Sequence, residues 1–392
     1  MKILSINVSY GIGSTGKIVE SLHNRFLELG HDSYVLVGRN TNVLSNNVVK
    51  LTSEIESKTW HFFSKFTGNL YCVCPISTNK IIKFIKNIKP DVVHLHCLNG
   101  FFVNIPKLMK FLKKENINTV LTNHAEFMYT GNCGYTMECN NWIGNKCKNC
   151  KRVKEFNGKY SLNLTHRYYK KMFNSISSFK NLKVTSVSPW LDARVKQSEM
   201  FGKITANCFT VLNPVTIKNL RKENIFKNDT KNVLYVTADF SNPEKGGFNL
   251  FELAKECEGS DIIFYVKSGR PVHQKFQFKN LIFIDDLNCD LFSLYKSADC
   301  SLVLSQKETF SMVVAESLMC GTPIVGFKAG GPETIAINNY SDFVDYGDIE
   351  QLKDALLKML NKKLDRDSIK DAARTKYSIE TIANDYLNVY EK

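Results

Sequence analysis

Along the chain, short apolar runs alternate with longer stretches in which apolar residues return every three or four positions. This is the pattern of a parallel sheet whose strands are joined by crossover helices. Residues Lys2 to Val8, Ser33 to Val37, Asp91 to His96, Thr119 to Asn123 and Val184 to Val187 read as strands in the first half. Asn232 to Thr237, Ile262 to Val266, Leu281 to Ile284, Cys300 to Leu304 and Pro323 to Val325 do so in the second. The pattern predicts two Rossmann-like, doubly wound α/β domains in succession. A strand running into Val211-Leu212-Asn213-Pro214, and the polar stretch that follows to Lys231, mark the boundary, because proline restricts the residue before it. The domains are then 1–210 and 211–376. A closing segment, 377–392, carries Ile379, Ile382, Tyr386, Val389 and Tyr390 at helical spacing and is expected to be a helix placed back on the N-terminal domain. Open α/β sheets take ligands beyond the carboxyl ends of their strands, so two such sheets facing across a cleft would make that cleft the active site.

Composition leaves this picture unchanged. At 392 residues, with 43% apolar, 11% aromatic and 23% charged residues, the chain has room for two cores, and disorder, coiled coil and collagen-like repeats are excluded. Charge says more. The net +14 divides unevenly: residues 1–205 hold 29 Lys and Arg against 12 Asp and Glu, or +17, whereas 206–392 hold 23 against 26, or −3. A basic half suits an anionic partner such as a phosphate-bearing ligand or a membrane surface, or is simply a lysine-rich solvated face. No apolar run reaches the roughly 18 to 20 residues of a membrane span. The N-terminus enters a strand without the order of a signal peptide, so a cytoplasmic protein with reduced thiols is expected.

Gly11-Ile12-Gly13-Ser14-Thr15-Gly16-Lys17 lies between the first strand and a helical stretch and fits GxGxxG, where bare amides at a helix start receive phosphate. The second strand ends in Val37-Gly38-Arg39 without the acid that would hold a ribose, so a dinucleotide reading requires NADP, with Arg39 on its 2′-phosphate. An NADP-binding oxidoreductase is thus one alternative. A Walker A loop is disfavoured because Ile18 replaces the magnesium-binding hydroxyl. A tight turn serving only helix packing is the structural alternative.

The segment from Ser301 to Glu333 is the most informative. A strand leads to a loop carrying Glu308, a helix beginning near Phe310 carries Glu316, and Gly321 ends that helix before the next strand. Eight residues along a helix span about 12 Å. That is longer than the roughly 5 to 9.5 Å of a glycosidase carboxylate pair, but it suits two acceptors on one extended polyhydroxyl ligand. Free amides at the helix start, around Ser311 and Met312, would face that ligand's phosphates. Glu308-x7-Glu316, with Ala298-Asp299 before it and Gly321-Thr322-Pro323 and Gly330-Gly331-Pro332-Glu333 after it, resembles the retaining GT-B glycosyltransferases of family 4, of the bacterial capsule and exopolysaccharide type. Asp91-Val92-Val93-His94-Leu95-His96, Thr122-Asn123-His124, Asn213-Pro214 and Glu244-Lys245-Gly246 extend the resemblance over most of the chain.

The resemblance implies transfer of a hexose-type sugar from a nucleotide-diphosphate sugar donor, with retention of configuration and no cofactor required for catalysis. The acceptor would be a saccharide or a polyprenyl-diphosphate-linked saccharide in surface polysaccharide biosynthesis. Glu308 would hold donor hydroxyls, Glu316 the ribose, Lys245 the diphosphate, and Gly13 would approach the phosphates. His124 matches the family histidine beside the donor sugar, although a hydrogen-bonded structural histidine is equally consistent. The family arginine five residues before the lysine is Phe240 here, and Arg270 is the expected substitute cation. The usual glycine after the Glu-x-Phe start is Ser311. A non-catalytic nucleotide-sugar or polysaccharide-binding protein is the alternative from another class.

Cys133, Cys139, Cys147 and Cys150 fall within eighteen residues, the last two as CxxC, in an insertion at about 131–151. Four thiols on a loop without a core could close a structural zinc site, with disulfides or buried thiols as the other readings. Lys80 to Lys86, Lys107 to Lys114 and Arg167 to Phe173 interleave basic with apolar residues at helical spacing. Such helices suit peripheral contact with an anionic membrane, or ordinary crossover packing. No nucleic-acid-binding motif is present, so nucleic acid is not an expected partner.

Overall fold

The computed structural model describes residues 1–41, 45, 47–217, 225–226, 229–272, 278–285 and 289–392. Part of the polar stretch expected at the boundary lies outside them. The chain divides into two compact units, Met1–Val211 with Ile382–Lys392, and Leu212–Thr381.

The N-terminal unit is built on a parallel sheet of β1 (Lys2–Tyr10), β2 (Asp32–Thr41), β3 (Val48–Lys50), β4 (Val92–Leu95), β5 (Thr119–Asn123), β6 (Leu182–Ser186) and β7 (Cys208–Thr210). Their spatial order is β3-β2-β1-β4-β5-β6-β7. Central strands read as continuous apolar runs because helices cover both faces: Ile3, Leu4, Ile6, Val35, Leu36, Val92 and Val93 are all fully buried. Order reverses between β1 and β4, which places the glycine loop and His96 at the switch point, where such sheets take ligands.

The second unit repeats the scheme with β8 (Lys231–Thr237), β9 (Ile262–Ser268), β10 (Leu281–Phe283), β11 (Cys300–Val303), β12 (Ile324–Phe327) and β13 (Ser341–Val344), in the order β10-β9-β8-β11-β12-β13. Here the switch lies between β8 and β11. The loops after these two strands carry Lys245 and Glu308.

The final helix, Ile379–Glu391, buries Ile382, Tyr386, Val389 and Tyr390 in the N-terminal unit. Tyr390 fixes it there. Its hydroxyl lies 2.6 Å from Nδ1 of His94, and its carbonyl accepts from Asn118 Nδ2 and Lys183 Nζ. The three lysine-rich helices turn their apolar residues inward: Ile81 and Ile85, Leu108, Met109 and Leu112, and Tyr168, Tyr169 and Met172 are buried. Ile82, Phe84, Phe111 and Phe173 stay half-buried beside the lysines of those helices. Among the described residues, no helix is long and apolar enough to cross a membrane.

Candidate functional site

At the switch point of the second sheet, Lys245 closes a single 3-10 turn, Pro243–Lys245, whose start is capped by Asn242 accepting from the Glu244 amide. The chain then turns at Gly246, φ 79°, where an added Cβ would stand 2.0 Å from the Leu304 carbonyl oxygen. Only glycine allows this approach, which sets the lysine loop against the end of β11. Gln306 N donates to Glu244 O at 2.9 Å and joins the two loops directly. As a result Lys245 Nζ meets Glu308 Oε1 at 2.9 Å, and Ser305 Oγ donates to the same oxygen at 2.8 Å.

The backbone of Glu308 is held equally firmly. Its amide donates to Ala329 O and its carbonyl accepts from Gly331 N, a parallel bridge to the loop after β12. Glu333 pins that loop by accepting from the amides of Ala329 and Gly330 at 2.9 Å. The helix that follows begins at Met312, two residues later than expected, and runs to Met319. Ser311 caps it with φ 83°, a left-handed conformation, and its buried Oγ has no partner among the described residues. Glu316 lies on this helix, half-buried. Burial holds the Tyr295 hydroxyl well above its usual range, and the Glu316 carboxylate adds to that effect.

Phe240 is buried against Tyr235, Phe251 and Phe283, so this position contributes to the core and presents nothing to a ligand. Arg270 stands at the end of neighbouring β9, largely exposed, with Nη1 2.7 Å from Asp239 Oδ2. The Asp239 carboxyl is held below its usual range, chiefly by the Ser241 hydroxyl and further by Arg270. Lys245, Glu308, Ser305 and the Ser311–Met312 helix start are thus joined through bonded loops, while Arg270 is engaged by a carboxylate one strand away.

In the N-terminal unit, Gly13 opens the helix Gly13–Glu28 with φ 68°, and open space surrounds the position a Cβ would take. Gly16 is the packing glycine of the loop, since a Cβ there would meet Ser9 Oγ at 2.8 Å. Arg39, the NADP candidate, bonds Glu54 at 3.4 Å. His124 follows β5, with Nε2 3.1 Å from His96 Nδ1, and the His96 and His94 ring centroids lie 3.9 Å apart with the planes tilted by 37°. Burial pushes His124 down to about 4 and His94 and His96 well below their usual range, so all three imidazoles are neutral near pH 7. His96 Nε2, Asn123 Oδ1 and Ser186 Oγ are buried without partners among the described residues, all near this carboxyl edge.

Cys133, Cys139, Cys147 and Cys150 lie near one another on the insertion. Cys133 and Cys150 share a hydrogen bond, which lowers Cys150, and Gly131 N donates to Cys147 Sγ. Among the described residues, however, no group of three or more His, Cys, Asp or Glu is placed to hold a metal. The loop also has a core, contrary to expectation. Trp142 is fully buried, against Tyr129 and under the Arg194 guanidinium. The Glu126 carboxylate accepts from Thr136 N, Tyr129 Oη and Arg194 Nε at 2.6 to 2.7 Å. Sequence reasoning missed this hub, because Glu126 and Arg194 are 68 residues apart and carry no local pattern.

Residues 217–376 match the family model described as "Glycosyl transferases group 1". An uncharacterized 41.2 kDa protein in the cps region of Klebsiella pneumoniae is 22% identical over 324 residues, 79% of this chain and 81% of its own. A putative colanic acid biosynthesis glycosyl transferase, WcaC of Escherichia coli K12, is 22% identical over 40% of this chain and 41% of its own. Among solved structures, a glycosyltransferase from Rickettsia africae superposes with a TM-score of 0.65 at 15% identity, covering 100% of this chain and 97% of that one. Anabaena Alr3699/HepE in complex with UDP superposes at 0.60 and 12% identity, covering 100% of both chains. Residues 217–376 are therefore a group 1 glycosyltransferase domain, within a chain whose two sheets have the GT-B fold.

Proposed function

We propose that this protein is an enzyme that transfers a hexose-type sugar from a nucleoside-diphosphate sugar to a saccharide or lipid-linked saccharide, with retention of configuration, during surface polysaccharide assembly. The observation that carries the reading is the Lys245–Glu308 pair at the switch point of the second sheet, 2.9 Å apart and beside the start of an eight-residue helix. A departing nucleoside diphosphate gathers negative charge, and a lysine with helix-start amides placed in advance lowers the barrier to its departure. In this reading Lys245 and the Ser311 and Met312 amides receive the diphosphate, with Arg270 as a second cation once it leaves Asp239. Lys245 and Ser305 both bond Glu308 at Oε1, so Oε2 is assigned to donor sugar hydroxyls. Glu316, further along the helix, takes the ribose.

The N-terminal unit is the proposed acceptor side, where neutral His124, bonded to His96 through Nε2, lines the site, and Gly13 leaves helix-start amides bare for phosphate. Support comes from the group 1 domain, from the UDP bound to the Anabaena neighbour, and from the cps-region and colanic acid descriptions of the relatives. The test is release of nucleotide from a panel of UDP-, GDP- and ADP-sugars by the wild type and by Glu308→Gln. The wild type should hydrolyse one donor slowly without acceptor, and the variant should fall at least about a hundredfold below it. Equal rates in both would remove Glu308 from the reaction.

A further inference from the structure

The helix Glu54–Thr67 reverses the usual burial pattern. Its buried residues are Ser57 and Ser64, whereas Ile55, Phe62, Phe63 and Phe66 are 80%, 58%, 51% and 45% exposed. At about 100° per residue, Ile55, Phe62 and Phe66 share one stripe, with Phe63 at its edge and the two serines opposite. Lys58 and Lys65, both exposed, border the stripe on one side. The Phe62 ring meets those of Phe63 and Phe66 edge-on at 5.8 and 5.5 Å, which makes a continuous aromatic surface.

A second segment enlarges it. Tyr160 and Leu162 are 74% and 61% exposed, next to exposed Lys159. They are fastened to the end of the same helix by Leu162 N donating to Phe66 O at 2.8 Å and Ser161 Oγ donating to Lys65 O at 2.7 Å. Contiguous exposed apolar surface of this kind marks an interaction site, whereas single exposed residues do not.

We infer that this patch docks the protein on an anionic lipid surface, the helix lying flat with its phenylalanines among the acyl chains and Lys58, Lys65 and Lys159 at the headgroups. Charge selects this occupant. The apolar face is edged by lysines in a half of the chain that carries +17, which an anionic bilayer complements. A second copy would instead set the same lysines against each other. A cavity of about 620 Å³ lies against the helix, lined by its His61, Ser64 and Lys65 and by Phe101 and Asn132. A lipid-linked substrate arriving at the patch would find a mainly apolar recess there, with Leu70 and Phe127 also in its wall. The docking itself does not depend on the transfer reaction.

The test is flotation of the full-length protein with vesicles of phosphatidylcholine alone and of phosphatidylcholine mixed with phosphatidylglycerol, at low and high salt. Binding is expected only to the anionic vesicles at low salt. It should weaken at least about tenfold in Phe62→Ser/Phe63→Ser/Phe66→Ser, with no fall in melting temperature, and likewise in Lys58→Glu/Lys65→Glu/Lys159→Glu. The lysine variant keeps the test decisive should the triple serine variant fold poorly. Equal binding to both vesicle types, or wild-type binding by either variant, overturns the proposal. So does concentration-dependent dimerisation in sedimentation velocity that the phenylalanine variant abolishes, because the occupant is then a second copy. A nucleotide response with no vesicle binding would defeat the docking alone.

Discussion

Lys245 Nζ and Glu308 Oε1 lie 2.9 Å apart, although 63 residues separate them in sequence. Each follows one of the two central strands of its sheet, and Gly246 permits the approach. Lys245→Ala would leave the half-buried Glu308 carboxylate with Ser305 as its side-chain partner among the described residues and should cost about 1 to 2 kcal/mol of stability by urea unfolding. The same change should weaken nucleotide affinity at least about tenfold by calorimetry. Unchanged affinity would separate the lysine from the diphosphate.

Ser311 holds a left-handed backbone with no hydrogen bond in return: its φ is 83° and its buried Oγ is unpartnered among the described residues. Ser311→Gly relieves both and should stabilise the protein by about 1 kcal/mol. A neutral or destabilising result would mean that the hydroxyl has a ligand in solution.

Acid should unfold the N-terminal unit through its histidines. Burial pushes His23 and His124 down to about 4, and His94 and His96 well below their usual range. In the unfolded chain they titrate near about 6.5. The unfolded state therefore binds more protons between these values, and the stabilisation is complete above about pH 6.5 and lost as pH falls toward about 4. Each group contributes a slope of up to about 1.4 kcal/mol per pH unit. Urea unfolding at pH 7, 6 and 5 should show a steep fall across this range; constant stability would show that the imidazoles are solvated.

The cysteine-bearing loop offers a separation between two sources of order. If the Glu126 hub holds it, Glu126→Gln leaves the largely buried Arg194 without its carboxylate and costs about 3 kcal/mol or more. Chelation should then leave the melting temperature unchanged. Stoichiometric zinc in purified protein, with a melting temperature that chelators lower, would instead assign the loop to the thiols.

Much of the fold was legible because β-strands buried on both faces are unbroken apolar runs, as Thr119–Asn123 shows, with the strand matching its expected bounds. Val48–Lys50 and Ser341–Val344 escaped notice because three or four residues at a sheet edge carry too little pattern. In the helix Glu54–Thr67 the period is plain, but period tells only which residues share a face and not which face is covered. Candidate site residues of the second unit sat in one dense motif at strand ends and were readable together. Phe240 was recognised as a departure, but its place in the core depends on Phe251 and Phe283, which only the fold brings to it. The same holds for His96 beside His124.

The central claim, that the group 1 domain binds a nucleoside-diphosphate sugar through the Lys245–Glu308 site, is tested most directly by thermal shift with UDP, GDP, ADP and their sugars. A ligand at a hundred times its dissociation constant adds about 2.7 kcal/mol, or roughly 5 to 10 °C for a unit of this size. One nucleotide family should produce that shift in the wild type and much less in Lys245→Ala. No shift with any of them, or an equal shift in the variant, would contradict the account.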